Sequence, residues 1–268
     1  MRTQAEKADA FRALHHGPRI LVLPNAWDCA SARIFEEAGF PAIATTSAGI
    51  AFAYGYPDGQ HIPPADMLAA VIRIVRAVDV PVTADLEAGY GDAESTAAGL
   101  VASGAVGLNL EDGHSSAAEH AQRIATVRRV GRELGVNIVI NARTDLYLPG
   151  RDVADPATRF ERACERLRAY IDAGADCVFV PGVTDEDSID RFVKTLQFPL
   201  NILALPGVPP IPRLEELGVA RVSVGSGIAR AAMGLTRRIA QELRTSGSYA
   251  TLFEGSIPGP EANRLFER

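Results

Sequence analysis

The amino-acid sequence predicts an α/β protein, a (β/α)8 barrel with a C-terminal helical extension. Three observations predict it: eight short apolar runs, each closed by turn residues; helical patterns between them; and a chain of 268 residues, 47% hydrophobic, long enough for one large core. The runs show little apolar–polar alternation, as expected of parallel strands covered on both faces. Regular alternation of strand and helix patterns implies a parallel sheet. A doubly wound open sheet would satisfy the same alternation. No GxGxxG follows the first run, which weakens a dinucleotide-binding version of that alternative.

In chain order the runs are "RILVLPNAWD" (19–28), "AIATTSAG" (42–49), "VPVTADLEAG" (80–89) and "VGLNLEDG" (106–113). They continue with "NIVINARTD" (137–145), "DCVFVPG" (176–182), "LNILALPG" (200–207) and "ARVSVGSG" (220–227). Helical spacing of apolar residues marks 65–78, 118–134 and 157–174, and a last long helix over 226–244. The barrel domain is expected over 1–245 and the extension over 246–268. A Gly/Ser break and a Pro/Gly break isolate short segments there, bearing Tyr249, Leu252, Phe253, Leu265 and Phe266. Segments so short cannot bury these side chains alone. They are expected to pack on the barrel or on a neighbouring subunit.

The net charge of −6 without a basic cluster argues against nucleic acid and anionic membranes as partners. No apolar stretch approaches spanning length, and the opening segment lacks the apolar core of a signal peptide. Cys29, Cys164 and Cys177 form no CxxC or paired pattern. A soluble cytoplasmic protein is expected. Lys7 and Lys194 are the lysines, and neither stands at a strand end. Schiff-base aldolase chemistry, which needs a lysine in the pocket, is excluded.

Active sites of such barrels lie at the C-terminal ends of the strands. Those ends are polar here: Asn25 and Asp28, Thr46 and Ser47, Asp85 and Glu87, Glu111 and Asp112, then Asn141, Arg143 and Asp145. Residues i and i+2 of a strand point the same way, so Asp85 and Glu87 share a face, as do Asn141, Arg143 and Asp145. Crowded acids raise one another's pKa unless a cation lies between them. Oxygen ligands without His or Cys suit Mg²⁺, with Mn²⁺ as a substitute. The plain alternative is an acid pair satisfied by Arg143 and helix N-terminal amides. Arg143 is expected either to grip a substrate carboxylate with two-point geometry or to serve as an ion-pair partner. "TTSAG" (45–49) is either a turn or a run of backbone N–H groups that receives an anion. "VGSG" (224–227) is a tight turn before a helix, with a phosphate cradle as the rarer reading.

The motifs "PNAWDCASARIFEEAGFPAIATTSAG", "YGYPDG", "VPVTADLEAGYG", "GLNLEDG", "INARTD" and "GADCVFVPG", in this order, resemble the isocitrate lyase/phosphoenolpyruvate mutase superfamily over nearly the whole chain. The resemblance implies a barrel whose last helix is exchanged between subunits, in a homo-oligomer that is usually a tetramer. It implies Mg²⁺ near Asp58, Asp85, Glu87 and Glu111, directly or through water. It also implies that Ser47, Ala48 and Gly49 hold a substrate carboxylate by their backbone, with Arg143 assisting. The shared chemistry forms or breaks a C–C or P–C bond next to a small 2-oxo acid, through an enolate-type intermediate held on Mg²⁺. A C–C lyase or decarboxylase is expected. Phosphonate mutase or hydrolase chemistry, or a non-catalytic 2-oxo acid binder, are the alternatives.

The chain departs from the superfamily pattern at four places. Glu87 stands where an aspartate is usual, and Thr45 where an aromatic residue is common. Gly182 replaces a glutamate of the lyases. The loop "DGHSSAAEHA" (112–121) lacks the lysine and cysteine that the lyases carry. His114 is the nearest titratable group there, and its ordinary pKa suits acid–base work near neutrality. A solvated loop histidine is its plain reading. These departures point away from isocitrate or 2-methylisocitrate cleavage.

Overall fold

A proline splits the first strand, and that break explains how the sheet closes. In the computed structural model, which describes residues 2–150 and 158–267, β1 (Leu21–Leu23) and β2 (Asn25–Ala26) flank Pro24. Proline has no N–H with which to continue a ladder. β1 pairs in parallel with β9 (Arg221–Ser223). β2 pairs in parallel with β3 (Ile43–Thr45). The two halves therefore act as one stave joining the last strand to the second. Between them run β4 (Val82–Asp85), β5 (Gly107–Glu111), β6 (Val139–Arg143), β7 (Cys177–Phe179) and β8 (Leu200–Leu203), each parallel to its neighbours. This is the expected (β/α)8 barrel, its eight staves drawn as nine strand segments.

One end of the barrel is sealed by α1 (Gln4–Leu14), which Thr3 starts with a reciprocal capping box to Glu6. Gln4 Nε2 donates to the carbonyls of Val101 and Ala105 at 2.9 and 2.8 Å. Arg12 Nε donates to Asp176 Oδ1 at 2.8 Å, and Phe11 is fully buried. Residues 105 and 176 lie two and one positions before β5 and β7, so α1 covers the N-terminal ends of the strands. The C-terminal ends stay open, and that is where the acids gather.

The helices α2 (Cys29–Glu37), α4 (Pro64–Ala77), α5 (Ala93–Ser103), α6 (Ala117–Glu133), α7 (Arg159–Asp172), α8 (Glu186–Leu196) and α9 (Ile211–Glu216) follow their strands. A short α3 (Ser47–Ala53) comes directly after β3. The apolar core includes strand residues such as Leu108, Ile140, Ile202 and Val222 together with helix residues such as Ile74 and Leu167. The two-residue period sends the intervening positions elsewhere, and these are polar: Asn109, Asn141, Asn201, Arg221 and Ser223 are all buried. They bond one another, Asn141 Nδ2 to Asn109 Oδ1 at 2.7 Å and Asn201 Nδ2 to Ser223 Oγ at 3.1 Å.

The last long helix, α10 (Gly227–Thr245), behaves differently. Of its residues only Ala229 is buried, and Met233 is 50% exposed. Beyond it a 3-10 turn (Ala250–Phe253) and α11 (Gly259–Arg264) carry exposed Tyr249, Phe253 and Phe266. Leu265 is buried, and its carbonyl accepts Arg33 Nε of α2. The extension thus meets its own barrel at Leu265 and leaves Tyr249, Phe253 and Phe266 exposed. No helix among the described residues is long and apolar enough to cross a membrane.

Candidate active site

Asp85 is the last residue of β4, and the backbone turns sharply after it. Leu86 is buried, and Glu87, only 4% exposed, adopts a left-handed backbone at φ +51°. Asp85 is held from one side only. Its Oδ2 accepts the Ser47 N–H at 3.1 Å and the Ser47 hydroxyl at 2.7 Å, while its own N–H donates to Thr45 Oγ1 at 3.0 Å. Its Oδ1 is buried and meets no donor. A buried carboxylate oxygen without a partner is costly, so a cation or water is the expected complement.

Asp58, on the loop after α3, lines the same cavity as Asp85 and Arg143. Partial desolvation, and then the Asp85 charge, raise its pKa. Burial lifts Glu87 to about 7, with Asp85 and Asp58 adding to the rise. Glu111 ends β5 directly opposite Arg143 of β6, with Oε2 2.8 Å from Arg143 Nη1. Burial raises the Glu111 pKa against the pull of that guanidinium. Three acids held above their ordinary range around a fourth mark a site short of positive charge. Among the described residues no three His, Cys, Asp or Glu side chains converge to chelate an ion unaided. That arrangement still fits Mg²⁺, which takes one or two carboxylates and keeps several waters. Asp85 Oδ1, buried and without a donor, is the oxygen that could bind such an ion directly.

The cavity has a volume of about 240 Å³, small enough to suit a short-chain acid. Leu148, Phe179, Pro181 and Leu203 line it together with the polar residues, so it offers apolar surface as well. Arg143 is its one cation among the described lining residues. Arg143 also spends Nε on Asp145 Oδ1 at 2.6 Å and Nη1 on Glu111. Arg143 is thus an ion-pair partner, the second role expected of it, and the N–H groups of Nη2 and the second N–H of Nη1 are not used by these two bonds.

The Ser47–Ala48–Gly49 stretch is likewise partly spent. The Ser47 N–H faces Asp85, and the Gly49 N–H donates to Thr46 Oγ1 at 3.3 Å, capping α3. Gly49 is not among the residues lining the cavity. A Cβ there would lie 2.6 Å from Thr46 Cγ2 and 2.9 Å from Trp27 Cβ, so glycine serves close packing at this position. Ala48 does line the cavity. Asn25 Oδ1 takes both the Val224 and Gly225 N–H groups at 2.9 Å, so the "VGSG" turn is satisfied internally.

The structure does not bring His114 to this group. It is exposed on the turn after β5 and does not line the cavity; Gly113 before it has φ +55°. Asp112 turns away from the acids into a buried knot, accepting Thr144 Oγ1, Arg166 Nη1 and Tyr170 OH at 2.8, 2.9 and 2.8 Å. Gly182 has φ +94°, and a Cβ there would come within 2.4 Å of the Tyr147 carbonyl oxygen. No longer side chain fits without moving that loop. Sequence reasoning missed Arg221, a fully buried guanidinium beneath the site that donates Nη2 to Asn109 Oδ1 at 3.3 Å. A charge at the inward register of a buried strand was the available signal.

The phosphoenolpyruvate phosphomutase family model matches residues 11–244. The 2-methylisocitrate lyase of Bacillus subtilis (strain 168) is 30% identical over 214 residues, covering 74% of this chain and 67% of its own. The oxaloacetate decarboxylase of Rhodopseudomonas palustris (strain TIE-1) is 31% identical over 223 residues, 80% of this chain and 73% of its own. The crystal structure of a Burkholderia cenocepacia J2315 protein, provisionally described as a lyase/mutase, is 38% identical and superposes with a TM-score of 0.89. It covers 99% of this chain and 97% of its own. With the family's match spanning most of the barrel, and its motifs forming the acid-lined mouth, the chain belongs to the phosphoenolpyruvate phosphomutase family of the isocitrate lyase/phosphoenolpyruvate mutase superfamily.

Proposed function

We propose that this protein is a Mg²⁺-dependent carbon–carbon lyase acting next to the carbonyl of a small 2-oxo acid, with decarboxylation of an oxaloacetate-type acid as the favoured reaction. The carrying observation is the mouth itself, where unpaired Asp85 Oδ1 lies among acids of raised pKa, beside one arginine and an apolar surface. Asp85, with Asp58, Glu87 and Glu111 through water, would hold the ion; Mn²⁺ can substitute. When bound, the ion supplies the positive charge that polarises the 2-oxo group. Arg143 Nη2 and the wall near Ala48 orient the retained carboxylate. Leu148, Phe179, Pro181 and Leu203 offer no donor from their side chains, so a carboxylate placed against them is poorly solvated and is favoured to leave as CO₂. That departure needs no proton, and solvent quenches the carbanion that remains. A tricarboxylate would find a single cation among the described lining residues, which argues against methylisocitrate. The phosphomutase family match keeps P–C chemistry as the second reading.

Pyruvate release from oxaloacetate, methylisocitrate and phosphonopyruvate, with chelator and then with added Mg²⁺, separates these reactions. Oxaloacetate should be the substrate turned over, and Asp85→Ala should abolish its turnover. Full activity of Asp85→Ala in chelator would remove the metal reading.

A further inference from the structure

Among the described residues, four non-glycine residues have positive φ, and three of them stand together beside the acid cluster: Gln60 (+61°), Glu87 (+51°) and Tyr90 (+50°). A left-handed backbone is unfavourable for a residue with a Cβ, so such conformations persist where their surroundings hold them. Here the three hold one another. Gln60 Oε1 accepts the Tyr90 N–H at 2.8 Å. The Tyr90 hydroxyl donates to Glu87 Oε1 at 3.3 Å. The Gln60 backbone also acts on the Glu87 carboxylate, lowering its pKa against the larger rise from burial. Burial and the nearby acids keep the Tyr90 hydroxyl protonated, so it remains a donor.

Gln60 lies two residues beyond Asp58, on a loop exposed at 52–55 and 57–61. Gly55 and Gly59 of that loop, at φ +84° and +99°, take left-handed conformations that glycine adopts without a Cβ penalty. Asp58 does not anchor it, because its Oδ1 accepts the N–H of adjacent Gly59 at 3.0 Å. Tyr56 and Ile62 pack on the core at either side of this stretch, and between them Gln60 ties it by a side-chain hydrogen bond to the turn that carries Glu87.

We propose that Gln60 is a positioning residue: it straps the loop bearing Asp58 to the turn bearing Glu87 and Tyr90, and so delivers the Asp58 carboxylate to the cation site opposite Asp85. The inference rests on the metal reading above. Gln60→Met keeps the length and backbone of the residue and removes its acceptor. Mn²⁺ binding, followed by electron paramagnetic resonance without substrate, should weaken about 5- to 10-fold in Gln60→Met, the worth of one net hydrogen bond. Asp58→Asn should also weaken it. The double variant should bind no worse than Asp58→Asn alone, because the strap acts through Asp58. Amide exchange over residues 54–62, measured without metal, should quicken in Gln60→Met. Parental Mn²⁺ affinity in Gln60→Met, or a double variant that adds the full Gln60 effect to that of Asp58→Asn, would overturn the proposal. If the parent binds no Mn²⁺, the metal reading fails and delivery to a cation fails with it. The exchange data then decide the strap alone, and unchanged exchange overturns that too.

Discussion

Glu87 concentrates the electrostatics of the site in one side chain. Burial, then Asp85 and Asp58, lift its folded pKa from 4.5 to about 7. Between those values the folded protein binds more protons than the unfolded chain, so stability must fall as pH rises through the window. The melting temperature of metal-free protein is therefore expected to drop between pH 5 and 8. Glu87→Gln should flatten that drop, and saturating Mg²⁺ should do the same by supplying the missing charge. Parallel pH traces for parent and variant would show that Glu87 is not strained in this way. Asp85, Glu111 and Arg143 were legible in the sequence because a two-residue period fixes which side chains share a face. Glu87 was read by the same rule, although β4 ends at Asp85 and the left-handed backbone of Glu87, at φ +51°, breaks the period. What those side chains already hold was not legible. Only the folded structure shows that Asp85 and Thr46 take the Ser47 and Gly49 N–H groups of "TTSAG", or that Asp145 and Glu111 take two nitrogens of Arg143. His114 shows the same limit. A strand predicts direction up to its last residue; β5 ends at Glu111, and Gly113 at φ +55° redirects the chain before the histidine.

At the scale of elements, the staves were legible because buried parallel strands form continuous apolar runs that helices interrupt. The break at Pro24 was visible in "LVLPNAW", yet its consequence, one stave shared by two ladders, needed the pairing of both halves. The short α3 went unread, since its seven residues are too few to show a helical period. The loops after β6 and β7 make a sharper case. Gly182 presses on the Tyr147 carbonyl, and a Cβ would come within 2.4 Å of it at φ +94°. That proximity closes the position where the lyases carry a glutamate. Gly182→Ala should cost about 2 kcal/mol or more in denaturant unfolding, from left-handed strain and the clash together. It should also displace Leu148, which lines the cavity, and so raise KM for the small acid. An alanine variant as stable as the parent would mean that the two loops are free to part.

At the scale of the whole molecule, two features ask for a second chain or a particular chemistry. An exposed α10 followed by uncovered Tyr249, Phe253 (66% exposed) and Phe266 is a poor surface for a lone barrel. Exchange of this region between subunits of a homo-oligomer would cover it. Removing residues 246–268 should lower the mass seen by light scattering, and an unchanged mass would assign the tail to its own barrel, where Arg33 already holds Leu265. The chemistry is tested by the cysteines. A lyase that splits a C–C bond between two carbon acids must protonate the departing carbanion, and a low-pKa thiol at the mouth is one way to do so. None of the three cysteines lines the cavity. Cys177 is fully buried in β7, where burial pushes its thiol up to about 12. Cys164 is buried in α7, and Cys29 begins α2; burial raises both thiols. A decarboxylase needs no such acid. Cys29→Ser, Cys164→Ser and Cys177→Ala combined should therefore leave oxaloacetate decarboxylation within about twofold of the parent, since surface and volume-modest changes away from a site rarely alter its barrier. Methylisocitrate cleavage should stay weak in both proteins. Rapid methylisocitrate cleavage that a single Cys→Ser change abolishes would instead require a thiol to reach the mouth, and would restore an acid-dependent lyase mechanism.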